Sequence, residues 1–173
     1  MAIPSDELLL AACAKGDREA FDRLASRYSA TLDAYFRRRL PDDGRVEELR
    51  QETLLALYAL LPSYSERGRF RSLLYSIAYR KLASARRSER PLAPLSEDMA
   101  SRELDPAALD LRSAIRALPD KLGEALLLTR FEGLSAQEAG EILGCSAEAV
   151  RARVCRAKSL LGRRLNSQGR RRP

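Results

Sequence analysis

Four residues near the end of the chain could contact nucleic acid from one face of a helix: Arg151, Ala152, Cys155 and Arg156. At about 100° per residue they fall on one side, whereas apolar residues fall on the other: Val150, Val154, Ala157 and Leu161. Residues 149–172 contain nine Arg or Lys and no Asp or Glu. Because an ordinary surface helix mixes both signs of charge, this helix is predicted to face phosphates.

The preceding elements would position that helix. Ser135 followed by Glu138 predicts a capping box for a helix that ends at Leu143. Gly144 permits a left-handed turn, and Ser146 can cap the next helix. Two helices joined by such a turn form a helix-turn-helix, whose second helix can enter the DNA major groove. An ordinary charged surface helix is the simpler alternative, and the turn, cap and one-sided charge weigh against it.

A second basic block occupies residues 67–87, with seven Arg or Lys and no acid, and a net acidic stretch separates it from the end of the chain. A helix over 71–87 should bury Leu74, Ile77, Ala78 and Ala85. Its outer side would carry Ser76, Tyr79, Arg80, Ala83 and Arg87, and the loop before it contains Tyr64 and Phe70. Arginines interleaved with aromatic rings suit single-stranded nucleic acid, although packing of the tyrosines in the core stays open, above all for Tyr75.

The helix predicted over 46–61 has two faces. One should be core, with Val46, Leu49, Thr53, Leu57 and Leu60, and the other carries Glu48, Gln51, Glu52 and Leu55. The second face is either a solvated surface or a docking surface for a protein, since its acidity would repel DNA. Periodicity alone leaves both interpretations open.

Composition excludes several classes of function. The chain has 173 residues, no histidine and three cysteines without a CxxC spacing. The usual general base and any zinc set are therefore missing, so we expect no enzyme, no metal and no cofactor. The first residues lack a secretory signal, and no stretch approaches the about 20 apolar residues of a membrane span. We expect a cytoplasmic protein with no membrane contact of its own.

Sparse Gly and Pro, with abundant Leu, Ala and Arg, predict an all-α fold. Residues 88–105 contain Pro91, Pro94, scattered Ser and acids without clear periodicity, which predicts a flexible linker between two small helical domains. Their predicted limits are 1–88, a linker over 89–105, and 106–173 with the helix-turn-helix. Helices should begin after Ser5, with Leu8, Leu9 and Ala12 in apolar contact, and after Asp17. Asp105 followed by Pro106 should start the second domain.

At this point the residues resemble a family. The stretch RALPDKLGEALLLTRFEGLSAQEAGEILGCSAEAVRARVCRAKSLL resembles region 4 of bacterial sigma factors. The stretch RVEELRQETLLALYALLPSYSERGRFRSLLYSIAYRKLASARR resembles their region 2. Two regions on a short chain are typical of the extracytoplasmic-function (ECF) group. Departures include Gly140 inside the first helix of the helix-turn-helix, Glu148-Ala149 in place of Gly-Thr, Leu73 in place of Trp, Arg80 in place of Asn and Ala152 in place of Ser.

The resemblance implies a promoter-specificity subunit of RNA polymerase, controlled by an anti-sigma factor, with core polymerase and promoter DNA as partners. It places the core polymerase contact at Glu48, Leu49, Gln51, Glu52 and Leu55. It places recognition of the minus-ten element, including a base pocket in the loop 63–70, at Tyr64, Phe70, Tyr79, Arg80, Ser84 and Arg87. It places recognition of the minus-thirty-five element at Arg151, Ala152, Cys155 and Arg156.

Two alternatives belong to other classes. A dimeric helix-turn-helix regulator would act without polymerase, but the chain shows no dimerisation heptads and has a docking helix of its own. A sigma-like module could capture an anti-sigma protein without binding DNA, but the two cationic helix faces argue against it.

Overall fold

The computed structural model describes residues 4–64, 69–89 and 111–169, and it divides the chain after residue 89 into two separately packed units. Helices are the regular structure throughout these ranges. The predicted linker over 89–105 lies outside the described residues except for residue 89. The helix start at Asp105 and residues 65–68 of the predicted base pocket over 63–70 also lie outside them. The all-α prediction is confirmed.

The first unit is a bundle of four helices. In chain order they are α1 (Asp6–Ala14), α2 (Arg18–Arg37), α3 (Asp43–Leu60) and α4 (Phe70–Glu89), with a 3₁₀ turn at Leu61–Ser63. Side-chain caps explain the helix starts: Ser5 accepts from Leu8 N at 3.4 Å, and Asp17 accepts from Ala20 N at 3.1 Å. Both caps agree with the prediction.

The core of this unit forms where α2, α3 and α4 meet. Tyr35 and Tyr75 are fully buried and pack edge to face, with ring centroids 5.6 Å apart. Around them lie Leu24, Leu32, Phe36, Leu49, Leu57, Leu74 and Leu82. Each large buried side chain contributes about 1.5–3 kcal/mol through removal from water, so this cluster holds α4 against α3.

The predicted burial is wrong for two leucines. Leu60 remains 43% exposed because α3 ends there and the following turn buries Leu61 instead. Leu8 remains 65% exposed, since α1 turns Leu9 and Leu10 inward. A polar contact fixes α1 on α2: Tyr28 donates its hydroxyl proton to Asp6, which also pairs with Arg27.

The second unit contains α5 (Leu111–Arg116), α6 (Asp120–Leu126), α7 (Ala136–Leu143) and α8 (Ala147–Gly169). A π-helical turn, Leu127–Phe131, continues α6, so the single helix predicted over 120–131 changes its winding midway. Within it, Thr129 Oγ1 donates to Ala125 O at 2.7 Å.

α8 is the longest helix of the second unit, and α6 and α7 pack along its apolar stripe. Val150, Val154, Ala157 and Leu161 are all buried, as predicted. Near the other end of α8, Arg164 Nη1 donates to Ala117 O at 3.0 Å, just after α5. The helix is therefore held at both its beginning and its later turns.

Candidate nucleic-acid and protein-binding surfaces

The turn between α7 and α8 has the geometry of a helix-turn-helix. The capping box is formed in both directions: Glu138 N donates to Ser135 Oγ at 3.2 Å, and Ser135 N donates to Glu138 Oε2 at 2.9 Å. Gly144 ends α7 in the left-handed region at φ 64°, and Ser146 Oγ accepts from Ala149 N at 3.2 Å. These contacts confirm the predicted caps and turn.

Gly140 lets α7 approach this turn closely. A Cβ at this position would lie 2.5 Å from Cys145 O, closer than van der Waals contact allows. The same approach brings Cys145 N to Gly140 O at 3.0 Å. A glycine inside α7, which costs up to about 1 kcal/mol in helix propensity, is therefore required by the backbone of the turn.

The outer face of α8 carries all four residues predicted to contact the minus-thirty-five element. Arg151, Ala152, Cys155 and Arg156 are exposed, opposite the buried stripe. We call these four residues, together with Glu148, the α8 face. It presents two guanidinium groups beside small uncharged side chains, which suits close approach to base edges and phosphates.

One acid lies among these cations. Arg151 Nη2 donates to Glu148 Oε1 at 2.7 Å. Hydrogen bonds from its own backbone N–H and from Ser146, with the charge of Arg151 nearby, hold the pKa of Glu148 below its usual range. The carboxylate is thus ionised at neutral pH.

The flank of α8 is also organised. Arg153 Nη1 donates to Cys145 Sγ at 3.1 Å, which joins the helix to the residue after its turn. Cys13, Cys145 and Cys155 are all free thiols, and Cys155 is exposed on the α8 face.

On α3 the predicted docking residues do not all share a surface. Glu48, Gln51 and Leu55 are exposed and Glu52 is half-buried, so these four form one face. Leu49 is 1% exposed and lies in the core, because it is on the same side of the helix as Val46 and Thr53. We therefore remove Leu49 from the contact set, and we call the other four the α3 face.

Basic side chains hold the acids of α3. Arg45 pairs with Glu48, and Lys81 Nζ of α4 lies 3.0 Å from Glu52 Oε2. Arg50 bridges Asp33 of α2 at 3.1 Å and Glu47 at 3.4 Å. Because these pairs are partly exposed, each contributes little to stability.

α4 places the predicted minus-ten residues unevenly. Arg80, Ser84 and Arg87 are exposed and Tyr79 is half-buried, so these four form a surface, which we call the α4 face. Phe70 is 5% exposed and packs edge to face on Tyr28 with centroids 5.2 Å apart. Burial removes Phe70 from the direct contact set, and Tyr64 is half-buried.

The sequence analysis did not identify two features, the aromatic pair at Tyr58 and the ion pair between Glu148 and Arg151. Tyr58 of α3 is 42% exposed and packs edge to face on Phe21 at 4.8 Å, which extends the α3 face with an aromatic pair. The spacing of three residues between Glu148 and Arg151 already signalled their ion pair.

Among the described residues, no group of three or more Cys, Asp or Glu could hold a metal ion. In the same ranges, no helix has the length and apolar character needed to cross a membrane.

Comparisons with known proteins match both halves of the chain. Residues 24–91 match the family described as Sigma-70 region 2, and residues 108–161 match Sigma-70, region 4. The RNA polymerase sigma factor NccH of Alcaligenes xylosoxydans is 31% identical, over 96% of this chain and 98% of that protein. The ECF RNA polymerase sigma factor ShbA of Streptomyces griseus is 33% identical, over 85% and 88% respectively.

Solved structures show the same fold. CnrH, solved in complex with the cytosolic domain of CnrY, aligns with a TM-score of 0.74 at 28% identity, over 94% of this chain and 97% of that one. The sigma factor RpoE of Bartonella quintana, solved with the anti-sigma factor NepR, aligns at 0.68 and 22% identity, over 84% and 96%. The chain therefore belongs to the sigma-70 family, in its extracytoplasmic-function group, and is a sigma factor that directs promoter-specific transcription initiation.

Proposed function

We propose that the three faces divide the work of a sigma factor. The α3 face docks on core RNA polymerase, the α4 face with Tyr64 contacts the minus-ten element, and the α8 face contacts the minus-thirty-five element. The proposed domains are those of the sequence, 1–88 and 106–173 with a linker between them. The protein is not itself an enzyme and acts in the cytoplasm.

The observation that carries this division is the separation of charge between faces. The α3 face carries Glu48, Glu52 and Leu55. The α4 face carries Arg80 and Arg87, and the α8 face carries Arg151 and Arg156 with a single acid, Glu148. A protein that binds both polymerase and DNA benefits from such a separation, because carboxylates beside a DNA-binding surface would repel the phosphates.

We further propose control by an anti-sigma factor. The structural relative CnrH was solved with a protein bound to it, the cytosolic domain of CnrY. On this chain, Leu55 and Tyr58 leave apolar surface exposed beside the acids of α3. An inhibitor that covers this surface would exclude core polymerase, since both would occupy the α3 face.

Reconstitution tests the proposal. The purified chain is added to bacterial core polymerase on a library of random promoter fragments, without any inhibitor, and the transcripts are sequenced. We expect initiation that depends on the chain and that selects shared minus-ten and minus-thirty-five sequences. Binding of the library by the chain alone, with no chain-dependent transcript, would favour a regulator that acts without polymerase.

A further inference from the structure

The first helix, α1, is joined to α2 by directional hydrogen bonds as well as by apolar packing. Asp6 accepts hydrogen bonds from Arg27 and from the hydroxyl of Tyr28, which are neighbours on α2. Arg27 Nη2 also donates to Pro4 O at 2.6 Å. Because hydrogen bonds weaken steeply when they are misaligned, these contacts fix both the height and the rotation of α1 on α2. None of these four residues belongs to the α3, α4 or α8 face.

Tyr28 also contacts the beginning of α4. Its ring packs edge to face on Phe70, with centroids 5.2 Å apart, while Asp6 holds its hydroxyl. Phe70 is the first residue of α4 and is buried. Burial first, and then the bond to Asp6, raises the pKa of Tyr28, so the hydroxyl keeps its proton at neutral pH and continues to donate it. One side chain thus connects the start of α1 to the start of α4.

α1 packs against a second element beside the proposed minus-ten surface, the 3₁₀ turn Leu61–Ser63. Leu61 is buried in this turn, and Leu9 and Leu10 are buried on α1. Tyr64, the next residue, donates its backbone N–H to Leu61 O at 3.1 Å, so its backbone follows the turn. α1 therefore supports Tyr64 through the turn, and it supports the start of α4 through Tyr28.

We propose that Asp6 and Tyr28 are positioning residues for recognition of the minus-ten element. They hold α1 in the place from which it supports Tyr64 and the start of α4, and they do not touch DNA themselves. Specific binding requires contact residues that supporting packing and hydrogen bonds hold within about 0.5 Å, and α1 gives that support here. The inference rests on the proposed minus-ten role of Tyr64 and the α4 face.

A contact that only stabilises the first unit has a different consequence. Lost stability lowers the fraction of active holoenzyme, but each molecule that remains folded selects the same bases. Displaced contact residues change the selection itself. The base preference at the minus-ten element, compared with the preference at the minus-thirty-five element in the same transcripts, therefore distinguishes positioning from stability.

The experiment uses the full chain in holoenzyme with bacterial core polymerase, on promoters whose minus-ten and minus-thirty-five elements are both randomised. Tyr28→Phe removes the hydroxyl but keeps the ring on Phe70, and Asp6→Ala removes the acceptor. Glu7→Ala is the matched control, since Glu7 is exposed in the same turn of α1 and carries the same charge. Sequenced transcripts give the base preference at each position, and thermal unfolding gives the melting temperature of each variant.

Two further variants separate the possible causes. Asp42→Ala removes the side-chain cap of α3, which accepts from Gly44 N at 2.8 Å, and so lowers stability without touching α1. Tyr64→Ala removes a proposed minus-ten contact residue directly and tests the function on which the inference rests.

We expect Asp6→Ala to reduce the preference for the most strongly selected minus-ten base by roughly tenfold and to leave the minus-thirty-five preferences unchanged. Tyr28→Phe should change the same preference by a smaller factor, because Arg27 still holds Asp6. The double variant should select bases as Asp6→Ala does, since both changes remove the same bond. Glu7→Ala and Asp42→Ala should keep the wild-type preferences.

Three results would overturn the inference. If Asp6→Ala and Tyr28→Phe lower the melting temperature but keep every base preference, their contact only stabilises the first unit. If Asp42→Ala changes the minus-ten preference as much as Asp6→Ala, lost stability is the cause. In both cases a changed minus-ten preference in Tyr64→Ala still supports the proposed function. If Tyr64→Ala and Asp6→Ala both keep the wild-type preference, the proposed role of Tyr64 fails together with the inference.

Discussion

Replacing Gly140 by alanine tests whether the helix-turn-helix depends on the close approach of α7 to its own turn. The new Cβ would lie 2.5 Å from Cys145 O, whereas ordinary contacts begin at 3.4 Å, so one of the two atoms must move by about 0.9 Å. The atom that it meets belongs to the backbone and cannot rotate away as a side chain would. The turn itself must shift.

The magnitude follows from three opposing contributions. Alanine gains about 1 kcal/mol over glycine in helix propensity. Overpacking costs about 1–3 kcal/mol, and loss of the 3.0 Å bond from Cys145 N to Gly140 O costs about 1 kcal/mol more. We expect a net loss of about 1–3 kcal/mol, which lowers the melting temperature of the second unit by about 4–8 °C per kcal/mol.

Thermal unfolding followed by circular dichroism measures the change, and selection at the minus-thirty-five element shows whether α8 has moved. Gly162→Ala is the matched control, because nothing lies within 4 Å of its added Cβ on α8. This control should stabilise the protein by about 0.5–1 kcal/mol. Our reasoning is refuted if Gly140→Ala is as stable as the wild type and selects the same promoters.

Three further changes test other parts of the structure. Ser135→Ala removes the capping box and should cost about 1 kcal/mol, seen as a lower urea midpoint of the second unit. Gln51→Ala with Glu52→Ala removes one carboxylate and should weaken core polymerase binding measured by titration. Asp22→Ala also removes one carboxylate, from an exposed position of α2, and should leave the binding unchanged; equal effects would mean that only net charge matters. Burial and the hydrogen bond to Asp6 raise the pKa of Tyr28 above its ordinary value. The free energy of unfolding that this shift contributes is present below pH about 10 and should be lost as the pH rises further. In Tyr28→Phe the free energy of unfolding should fall less steeply over the same pH range. Identical pH profiles would rule out this contribution.

The sequence predicted the fold well where periodicity and local chemistry agree. Ser5, Asp17 and Ser135 cap helices as expected, since a cap depends on only three or four neighbouring residues. The apolar stripe of α8 is buried because four residues repeat at helical spacing.

The predictions of burial that were wrong concern residues whose packing partners lie outside their own helix. Leu60 fits the periodicity of α3, but burial of the neighbouring Leu61 requires knowledge of the turn that follows. Phe70 reads as a loop aromatic, yet Tyr28, far away in sequence, provides its packing partner. Glu124 and Glu132 are each 2% exposed, although acidic side chains are rarely buried and nothing in the local sequence predicts it here.

For the candidate site, the sequence placed the exposed residues on the correct sides of α3, α4 and α8, but it did not reveal how they are held. Periodicity assigned Leu49 to the core and the family resemblance assigned it to the polymerase contact, and the structure places it in the core. The cross-helix pair between Lys81 and Glu52 joins residues far apart in the chain and had no local signal.

Residues on the two sides of α8 can also change independently during evolution. The buried stripe packs the second unit together, whereas positions such as Ala152 and Cys155 are exposed. Exposed substitutions usually change stability by less than about 0.5 kcal/mol. Selection can therefore alter which promoters this protein recognises, one exposed side chain at a time, without first having to rescue its fold.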